Sequence, residues 1–80
     1  MTAAFGLIQL AVTGGMTDIR TTHEALHAIS GVKTVHFLAG PTDAIVFIEA
    51  ADQAGLMKAL GEMRAVGGVA STDTRIVLPV

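Results

Sequence analysis

The 80-residue sequence contains no cysteine, no tryptophan and no tyrosine, and only 15% of its residues are charged. Without cysteine, the chain can form no disulfide and offers neither a thiol nucleophile nor thiolate ligands for a metal. Its five basic residues are scattered along the chain, and the formal net charge is -2. Binding to nucleic acid phosphates requires clustered Lys and Arg. We therefore expect no direct contact with DNA or RNA.

Long apolar runs are also missing. The longest segments of this kind, residues 3–12 and 44–48, are the length of strands and fall short of the ~20 residues that a membrane-spanning helix needs. The first four residues lack the basic start and cleavage site of a secretory signal. These absences predict a cytoplasmic protein without a membrane partner.

Apolar side chains are the abundant feature, because 51% of the residues are hydrophobic. A chain of this length buries only roughly 60–65% of the surface that it would expose when unfolded. One small core cannot take up so many apolar side chains, so some must face another surface. The composition predicts a single domain over residues 1–80 that assembles into an oligomer.

Hydrophobic periodicity and turn residues predict six elements. The second helix has Asp52 as its N-cap, and each helix ends in a similar glycine turn, at residues 28–32 and 65–69. The predicted elements are a strand over 4–12, a helix over 16–29, strands over 32–39 and 44–50, a helix over 53–66 and a strand over 69–80.

This order, β-α-β-β-α-β, predicts a ferredoxin-like α+β fold in which both helices cover one face of a four-stranded antiparallel sheet. The other face would also be apolar, since the first and third strands are apolar at nearly every position. Packing of two such sheets would give a dimeric α+β barrel. The buried stripe of the first helix is expected to contain Ile19, Thr22, Ala25, Leu26 and Ile29.

The segment His23-Glu24-Ala25-Leu26-His27 matches the H-E-x-x-H pattern of zinc peptidases. A catalytic zinc also needs a third protein ligand, and the only other histidine, His36, does not stand out as one. We therefore predict no metal site and no cofactor. The sequence leaves open whether the two helical histidines bind a metal by themselves.

Glycines and serines give no further catalytic motif. Gly14-Gly15 lacks the pattern of a phosphate-binding loop and is explained by a tight turn, although ligand carboxylates can bind at such helix starts. Ser30 and Ser71 lie at turns without a nucleophile elbow or a base partner.

The hairpin Gly40-Pro41-Thr42-Asp43 joins the second and third strands with strong turn-forming residues. An aspartate at its mouth can orient backbone amides or bind an ammonium group. The last strand carries a second polar set, comprising Ser71, Thr72, Thr74 and Arg75. Arg75 could pair with a carboxylate through its bidentate guanidinium, or could simply face solvent.

Four segments, in this order and spacing, resemble one family. They are residues 4–8, residues 29–32, the G-x-x-D hairpin at 40–43, and the start of the last strand at 68–74. Together they resemble the C-terminal effector domain, or RAM domain, of the Lrp/AsnC (feast/famine) regulators. A DNA-binding domain precedes this one in full-length relatives, so the chain resembles the stand-alone form.

The resemblance implies a homodimer of sheets packed face to face, and assembly of dimers into larger rings, often octamers. It also implies an amino-acid effector bound between dimers, with full-length regulators as possible partners. Gly40 and Asp43 match the positions that hold the ligand's amino group and backbone. At Pro41 and Thr42 this sequence departs from the acidic and aromatic residues that are common in relatives, which leaves the ligand's identity open. The implied binding residues are His36, Gly40, Pro41, Thr42, Asp43, Thr74, Arg75, Ile76 and Val77.

Two other functions remain possible on this fold. A small cofactor-independent monooxygenase or isomerase of the dimeric α+β barrel type would use His23, His36 or Asp43 as acid-base groups. An ACT-type regulatory domain would place its ligand glycine at Gly14 or Gly15. The leading prediction is a non-enzymatic, amino-acid-binding regulatory domain without its own DNA-binding part.

Overall fold

The structure is a computed structural model that describes residues 1–11 and 16–78, with only the backbone described for residues 16–18. Its elements are β1 (Thr2–Leu10), α1 (Met16–His27), β2 (Val32–Phe37), β3 (Ala44–Ala50), α2 (Gln53–Arg64) and β4 (Val69–Ile76). The strands form one sheet in the order β2-β3-β1-β4, and every pairing is antiparallel. The predicted ferredoxin-like α+β fold is confirmed.

The core lies between the helices and one face of the sheet. Ala4 and Ile8 of β1 are fully buried there, as are Val46 and Ile48 of β3. Alternate residues of these strands point to the other face, which no described element of the chain covers. Among the described residues, no helix is long and apolar enough to cross a membrane.

Helix α2 forms as its sequence pattern predicts. Asp52 caps it, with one carboxylate oxygen accepting a hydrogen bond from the Gly55 amide at 2.8 Å. Leu56, Ala59, Leu60 and Met63 are buried against the sheet. A Cβ atom at Gly6 would lie 2.8 Å from the Met63 methyl carbon, so α2 packs closely over β1 where β1 has no side chain.

Helix α1 buries a narrower stripe than the sequence predicts. Leu26 and Thr22 are buried, and the Thr22 hydroxyl donates a hydrogen bond to the Gly67 carbonyl at 3.3 Å. The prediction that Ala25 is buried is wrong, because this residue is exposed. It lies instead on an open groove of about 690 Å³ that is also lined by Ala59 of α2. The two helices therefore do not close over this part of the sheet.

Both helices end two residues earlier than predicted, for the same reason. At the end of α1 the hydrogen bonds join residues three positions apart instead of four. The Ile29 amide donates to the Leu26 carbonyl at 3.2 Å, and the chain then turns into β2. Gly31 at φ 98° and Gly68 at φ 95° occupy equivalent places in the two turns. The repeat seen in the sequence is thus a repeated turn geometry.

Three strand boundaries also differ from the predictions. β1 covers Thr2–Leu10 rather than 4–12, and Val12 lies outside the described residues. β2 ends at Phe37 rather than at 39, because the Leu38 amide already closes the hairpin by bonding to the Asp43 carbonyl at 2.7 Å. β4 ends at Ile76 rather than at 80, although the Val77 amide still bonds to the Ala3 carbonyl of β1. The end of the predicted last strand, residues 79–80, lies outside the described residues.

Replacing Gly31 with alanine should destabilise the domain by about 1–3 kcal/mol. Its φ of 98° strains any residue with a side chain, and the new Cβ would lie 2.9 Å from the Glu49 carbonyl oxygen. Chemical denaturation measures the free energy of unfolding. Gly61→Ala is the matched control, because Gly61 lies within α2 with open space around its Cβ position. It should stabilise the domain by about 0.5–1 kcal/mol. Equal effects of the two variants would contradict the predicted difference.

Candidate functional site

The β2–β3 hairpin is tied to the end of β1. β3 begins at Ala44, opposite Ile8, so Leu10 lies beyond the last strand partner on that side. Its amide donates instead to the Asp43 carboxylate at 2.9 Å. The Asp43 amide in turn donates to the Ile8 carbonyl at 3.0 Å, and the Gln9 side chain donates to the Pro41 carbonyl. These bonds fix the position of the hairpin relative to the sheet.

Gly40 has a conformational reason to be glycine. Its φ of 139° is one that residues with side chains rarely adopt, although no atom lies within 4 Å of its Cβ position. Pro41 beside it is exposed, whereas Thr42 and Asp43 are half-buried. Gly40 therefore shapes the turn through its backbone and leaves open space around it.

A small open cleft lies beside the hairpin on the helix-covered side of the sheet. Its volume is about 270 Å³, and four of its five lining residues have apolar side chains. The lining residues are Leu10, Ile19, Phe37, Leu38 and Asp43. Ligand-binding clefts for drug-sized molecules usually begin at about 300 Å³, so this cleft suits part of a small ligand.

The predicted β4 residues lie elsewhere. β4 runs antiparallel to β1, and Ile76 pairs with Ala4 at the end of the sheet away from the hairpin. The Val77 amide bonds to the Ala3 carbonyl at 2.9 Å. From the hairpin to this end of β1 is roughly 17 Å along the strand. A single chain therefore brings residues 40–43 together but keeps them apart from residues 74–77.

Neighbouring β4 residues also point to opposite faces of the sheet. Thr74 pairs with Gly6 and faces the helices, whereas Arg75 pairs with Phe5 on the other face. The Thr74 hydroxyl oxygen is buried, and within the described residues it has no hydrogen-bond partner. A ligand on the open face would meet Arg75 before it could meet this hydroxyl.

The face of the sheet opposite the helices has an apolar centre. The Phe5 and Phe47 rings pack with their centres 5.0 Å apart, and the strands pair these two residues directly. Leu7 pairs with Ile45 next to them. We call these four side chains, Phe5, Leu7, Ile45 and Phe47, the uncovered apolar face.

Polar side chains surround the uncovered apolar face. His36 pairs with Ile45 and is exposed on the same side of the sheet. Arg75 and Asp73 lie along the β4 edge, opposite Phe5 and Leu7. An apolar centre within a polar rim is the usual anatomy of a protein–protein interface.

Comparison with known proteins identifies the family of this chain. The sequence profile of the Lrp/AsnC ligand binding domain matches residues 5–79. The chain belongs to the Lrp/AsnC ligand-binding-domain family. No functionally curated protein matches it at significant similarity. The family assignment identifies the chain as a regulatory ligand-binding domain.

Solved structures of this Lrp/AsnC fold fall into two sizes. FFRP-DM1 is 28% identical, with a TM-score of 0.80 over 98% of this chain and 100% of its own. Hypothetical protein PHS023 from Pyrococcus horikoshii is 27% identical, with a TM-score of 0.79 over 100% of this chain and 93% of its own. An AsnC family transcriptional regulator from Agrobacterium tumefaciens shares the fold at a TM-score of 0.85 and 14% identity. That match covers 99% of this chain and 51% of the regulator.

Arg75 of this Lrp/AsnC domain already has a partner. Its guanidinium bonds to both carboxylate oxygens of Asp73, with the shortest contact, from Nη2 to Oδ2, at 2.7 Å. The bond to Arg75 lowers the pKa of Asp73, and the same bond raises the pKa of Arg75. A ligand carboxylate would have to compete with Asp73 for this guanidinium.

The two histidines of the enzymatic alternative do not converge within one Lrp/AsnC domain. His23 lies on α1 and packs against the Phe37 ring, with ring centres 5.6 Å apart. His36 precedes Phe37 in β2 and points to the opposite face of the sheet. One substrate could not contact both imidazoles in a single chain. The glycines of the ACT-type alternative, Gly14 and Gly15, lie outside the described residues.

Sequence reasoning missed three residues that the structure brings to the candidate site. Gln9 and Leu10 were assigned only to a strand, yet both bond to the hairpin. Asp73 is not among the residues that the sequence singles out, yet it binds Arg75. The i, i+2 spacing of Asp73 and Arg75 on one strand could have indicated their pairing, because alternate strand residues share a face. Nothing in the sequence indicates the hairpin contacts, which join residues 32 and 33 positions apart.

Proposed function

We propose that this domain binds an amino acid or a related small ligand between subunits of a homo-oligomer and thereby modulates transcription regulators. The observation that carries this proposal is the Asp43 carboxylate, held in place by the Leu10 amide beside an open apolar cleft. An amino acid presents an ammonium group, which needs a carboxylate, and a side chain, which needs an apolar wall. Asp43 and apolar side chains line the same cleft at the hairpin.

The carboxylate retains capacity for a ligand. A carboxylate offers acceptor positions for about four hydrogen bonds, and the Leu10 amide uses one of them. A charge-assisted bond from an ammonium group is roughly twice as strong as one between neutral groups. Asp43 would therefore serve both the fold and the ligand.

The homodimer in this proposal forms through the uncovered apolar face. Two copies packed sheet to sheet would remove Phe5 and Phe47 from water, and about 25 cal/mol is gained for each Å² of apolar surface that is buried. The polar rim, with His36 and the Asp73–Arg75 pair, would lie at the edge of this contact. Dimers would then assemble further into a ring, for which an octamer is the arrangement that the family resemblance implies.

Assembly would also complete the ligand site. Ile76 lies opposite Ala4, roughly 17 Å along the strands from the hairpin residues 40–43, so the end of β4 and the hairpin can act together only when they are contributed by different subunits. In this arrangement Gly40 to Asp43 hold the amino group and backbone of the ligand. Arg75, Ile76 and Val77 of another chain close the cleft, together with Thr74 and His36.

These 80 residues would regulate through protein partners rather than by touching DNA. The chain carries only five basic residues against seven acidic ones, and nucleic-acid-binding surfaces depend on clustered positive charge. Mixed assembly with full-length Lrp/AsnC regulators would carry the ligand signal to a DNA-binding domain. We propose residues 1–80 as one ligand-binding unit with no catalytic role.

Isothermal titration calorimetry of the assembled protein with each of the twenty amino acids tests the ligand class. We expect at least one to bind, and Asp43→Asn to weaken that binding by roughly 10- to 100-fold, the worth of one hydrogen bond to a charged group. The asparagine amide oxygen still accepts from Leu10, so the melting temperature should barely change. Asp43→Ala removes both the contact with the ligand and the acceptor for the Leu10 amide. It should therefore lower the melting temperature as well as the affinity.

Glu62→Gln is the matched control, because it removes one exposed carboxylate from α2 away from the hairpin. It should bind the amino acid as tightly as the wild-type domain does. If wild-type protein binds none of the twenty, the amino-acid assignment is wrong. If Asp43→Asn binds with wild-type affinity, Asp43 does not belong to the site.

A further inference from the structure

We propose that His23 and His27 form a binding site for one divalent transition-metal ion on α1. The two imidazole rings lie side by side, with centres 5.9 Å apart and planes inclined by 34°. Residues four positions apart on a helix share one face. The His23 ring packs against Phe37, which also lines the hairpin cleft, but neither histidine is a lining residue of that cleft. The inference does not rest on the proposed function.

The ring separation suits chelation. Metal–nitrogen bonds to imidazole are about 2.0–2.1 Å long, so two imidazoles on one tetrahedral ion have ring centres about 5 Å apart. The observed 5.9 Å is close to this value. A small rotation about the side-chain torsions would bring both nitrogens onto one ion without any movement of the helix backbone.

One of the two ligands is already positioned by the fold. The His23 ring is half-buried and meets the Phe37 ring edge to face, with centres 5.6 Å apart. Phe37 itself packs against the buried core. A ligand that is held before the ion arrives loses less conformational entropy on binding. The partner, His27, is exposed and leaves the ion a route from solvent.

The ligand set indicates the class of metal. Imidazole suits Zn²⁺, Cu²⁺ and Ni²⁺, and affinity in this series is highest for Cu²⁺. Among the side chains that the structure describes, those of residues 1–11 and 19–78, no group of three or more His, Asp and Glu could hold a metal. In this proposal water fills the remaining coordination positions. The pair is thus a two-nitrogen site, which differs from the three-ligand zinc centre that the H-E-x-x-H pattern implies in peptidases.

Titration of the assembled, metal-free protein with Cu²⁺ and with Zn²⁺, followed by calorimetry and by thermal melting, tests the site. We expect one ion per chain and a rise of several degrees in melting temperature, since a ligand that binds only the folded state stabilises it. His27→Gln should weaken binding on the order of a hundredfold or more, because a chelating pair becomes a single ligand. The exposed position of His27 makes this change compatible with folding.

His36→Gln is the matched control, because it removes the third histidine from the opposite face of the sheet. It should keep one ion per chain and the full rise in melting temperature. His23→Gln should behave like His27→Gln. Wild-type protein that binds neither ion would overturn the proposal, and so would binding that survives His27→Gln or is lost equally in His36→Gln.

Discussion

Phe47→Asp should convert the assembled protein into monomers. Phe47 lies at the centre of the uncovered apolar face, with its ring 5.0 Å from that of Phe5. In a sheet-to-sheet homodimer, the substitution places two carboxylates, one from each copy, at an apolar centre. The strand partner of Phe47 is Phe5, and Arg75, one strand further, is already bonded to Asp73. Each buried unpaired charge costs several kcal/mol. The dimer dissociation constant should therefore rise at least about a thousandfold, equivalent to about 4 kcal/mol.

Sedimentation velocity or light scattering at micromolar concentration measures this change as a fall in mass to that of one chain, 8.2 kDa. Far-ultraviolet circular dichroism shows whether the variant still folds. If Phe47→Asp unfolds, Phe5→Asp is the second variant, because Phe5 is already 39% exposed in the single chain and should tolerate a charge better.

Met57→Asp is the matched control. Met57 is a large apolar residue with 47% exposure, but it lies on α2, on the other side of the sheet. The dimer should persist in this variant. Dimerisation through the uncovered apolar face would be contradicted by Phe47→Asp and Phe5→Asp variants that both remain folded dimers, or by a Met57→Asp variant that dissociates as they do.

Leu26→Ala should destabilise the domain by about 2–5 kcal/mol, the usual cost of truncating a fully buried leucine. Leu26 has no exposed surface, and of the α1 side chains that the structure describes only Leu26 and Thr22 are buried. The shorter side chain would leave a cavity and remove the main apolar contact that holds α1 on the sheet. The free energy of unfolding of a native protein is only about 5–15 kcal/mol in total. The variant should therefore unfold at a markedly lower denaturant concentration.

Ala25→Ser provides the control at the neighbouring position. Ala25 is exposed on the open groove between the helices, and surface substitutions usually change stability by less than about 0.5 kcal/mol. The helical pattern of the sequence places both residues on the buried stripe, so the pair of variants also distinguishes that pattern from the structure. A large loss of stability in Ala25→Ser, or a negligible loss in Leu26→Ala, would contradict the described packing of α1.

The identities and order of the elements could be predicted because they depend on local signals. Asp52 caps α2, and Gly31 and Gly68 adopt the positive φ angles that end the two helical units. The boundaries were less predictable. Apolar periodicity does not encode the geometry that sets these boundaries. This geometry comprises the hydrogen bonds between residues three apart at the helix ends and the early closure of the hairpin by the Leu38 amide.

The candidate site was predictable only in part. Gly40 and Asp43 follow from turn chemistry, and the structure adds that Asp43 accepts a bond from Leu10, 33 positions away. The Asp73–Arg75 pair, which occupies the guanidinium that was expected to face a ligand, became visible only with the strand register. Long-range contacts of this kind depend on how the strands are paired, and that pairing is a property of the whole sheet.

The amino-acid sequence by itself determined the order of elements and the surplus of apolar side chains, because periodicity and turn residues act over a few positions. Only the tertiary structure decided where that surplus lies. The strand order β2-β3-β1-β4 places β1 and β3 side by side at the centre, so their outward side chains merge into one apolar surface. The antiparallel pairing of β4 with β1 places residues 74–77 beside the start of β1, whereas Asp43 of the hairpin bonds to Ile8 and Leu10 near its end.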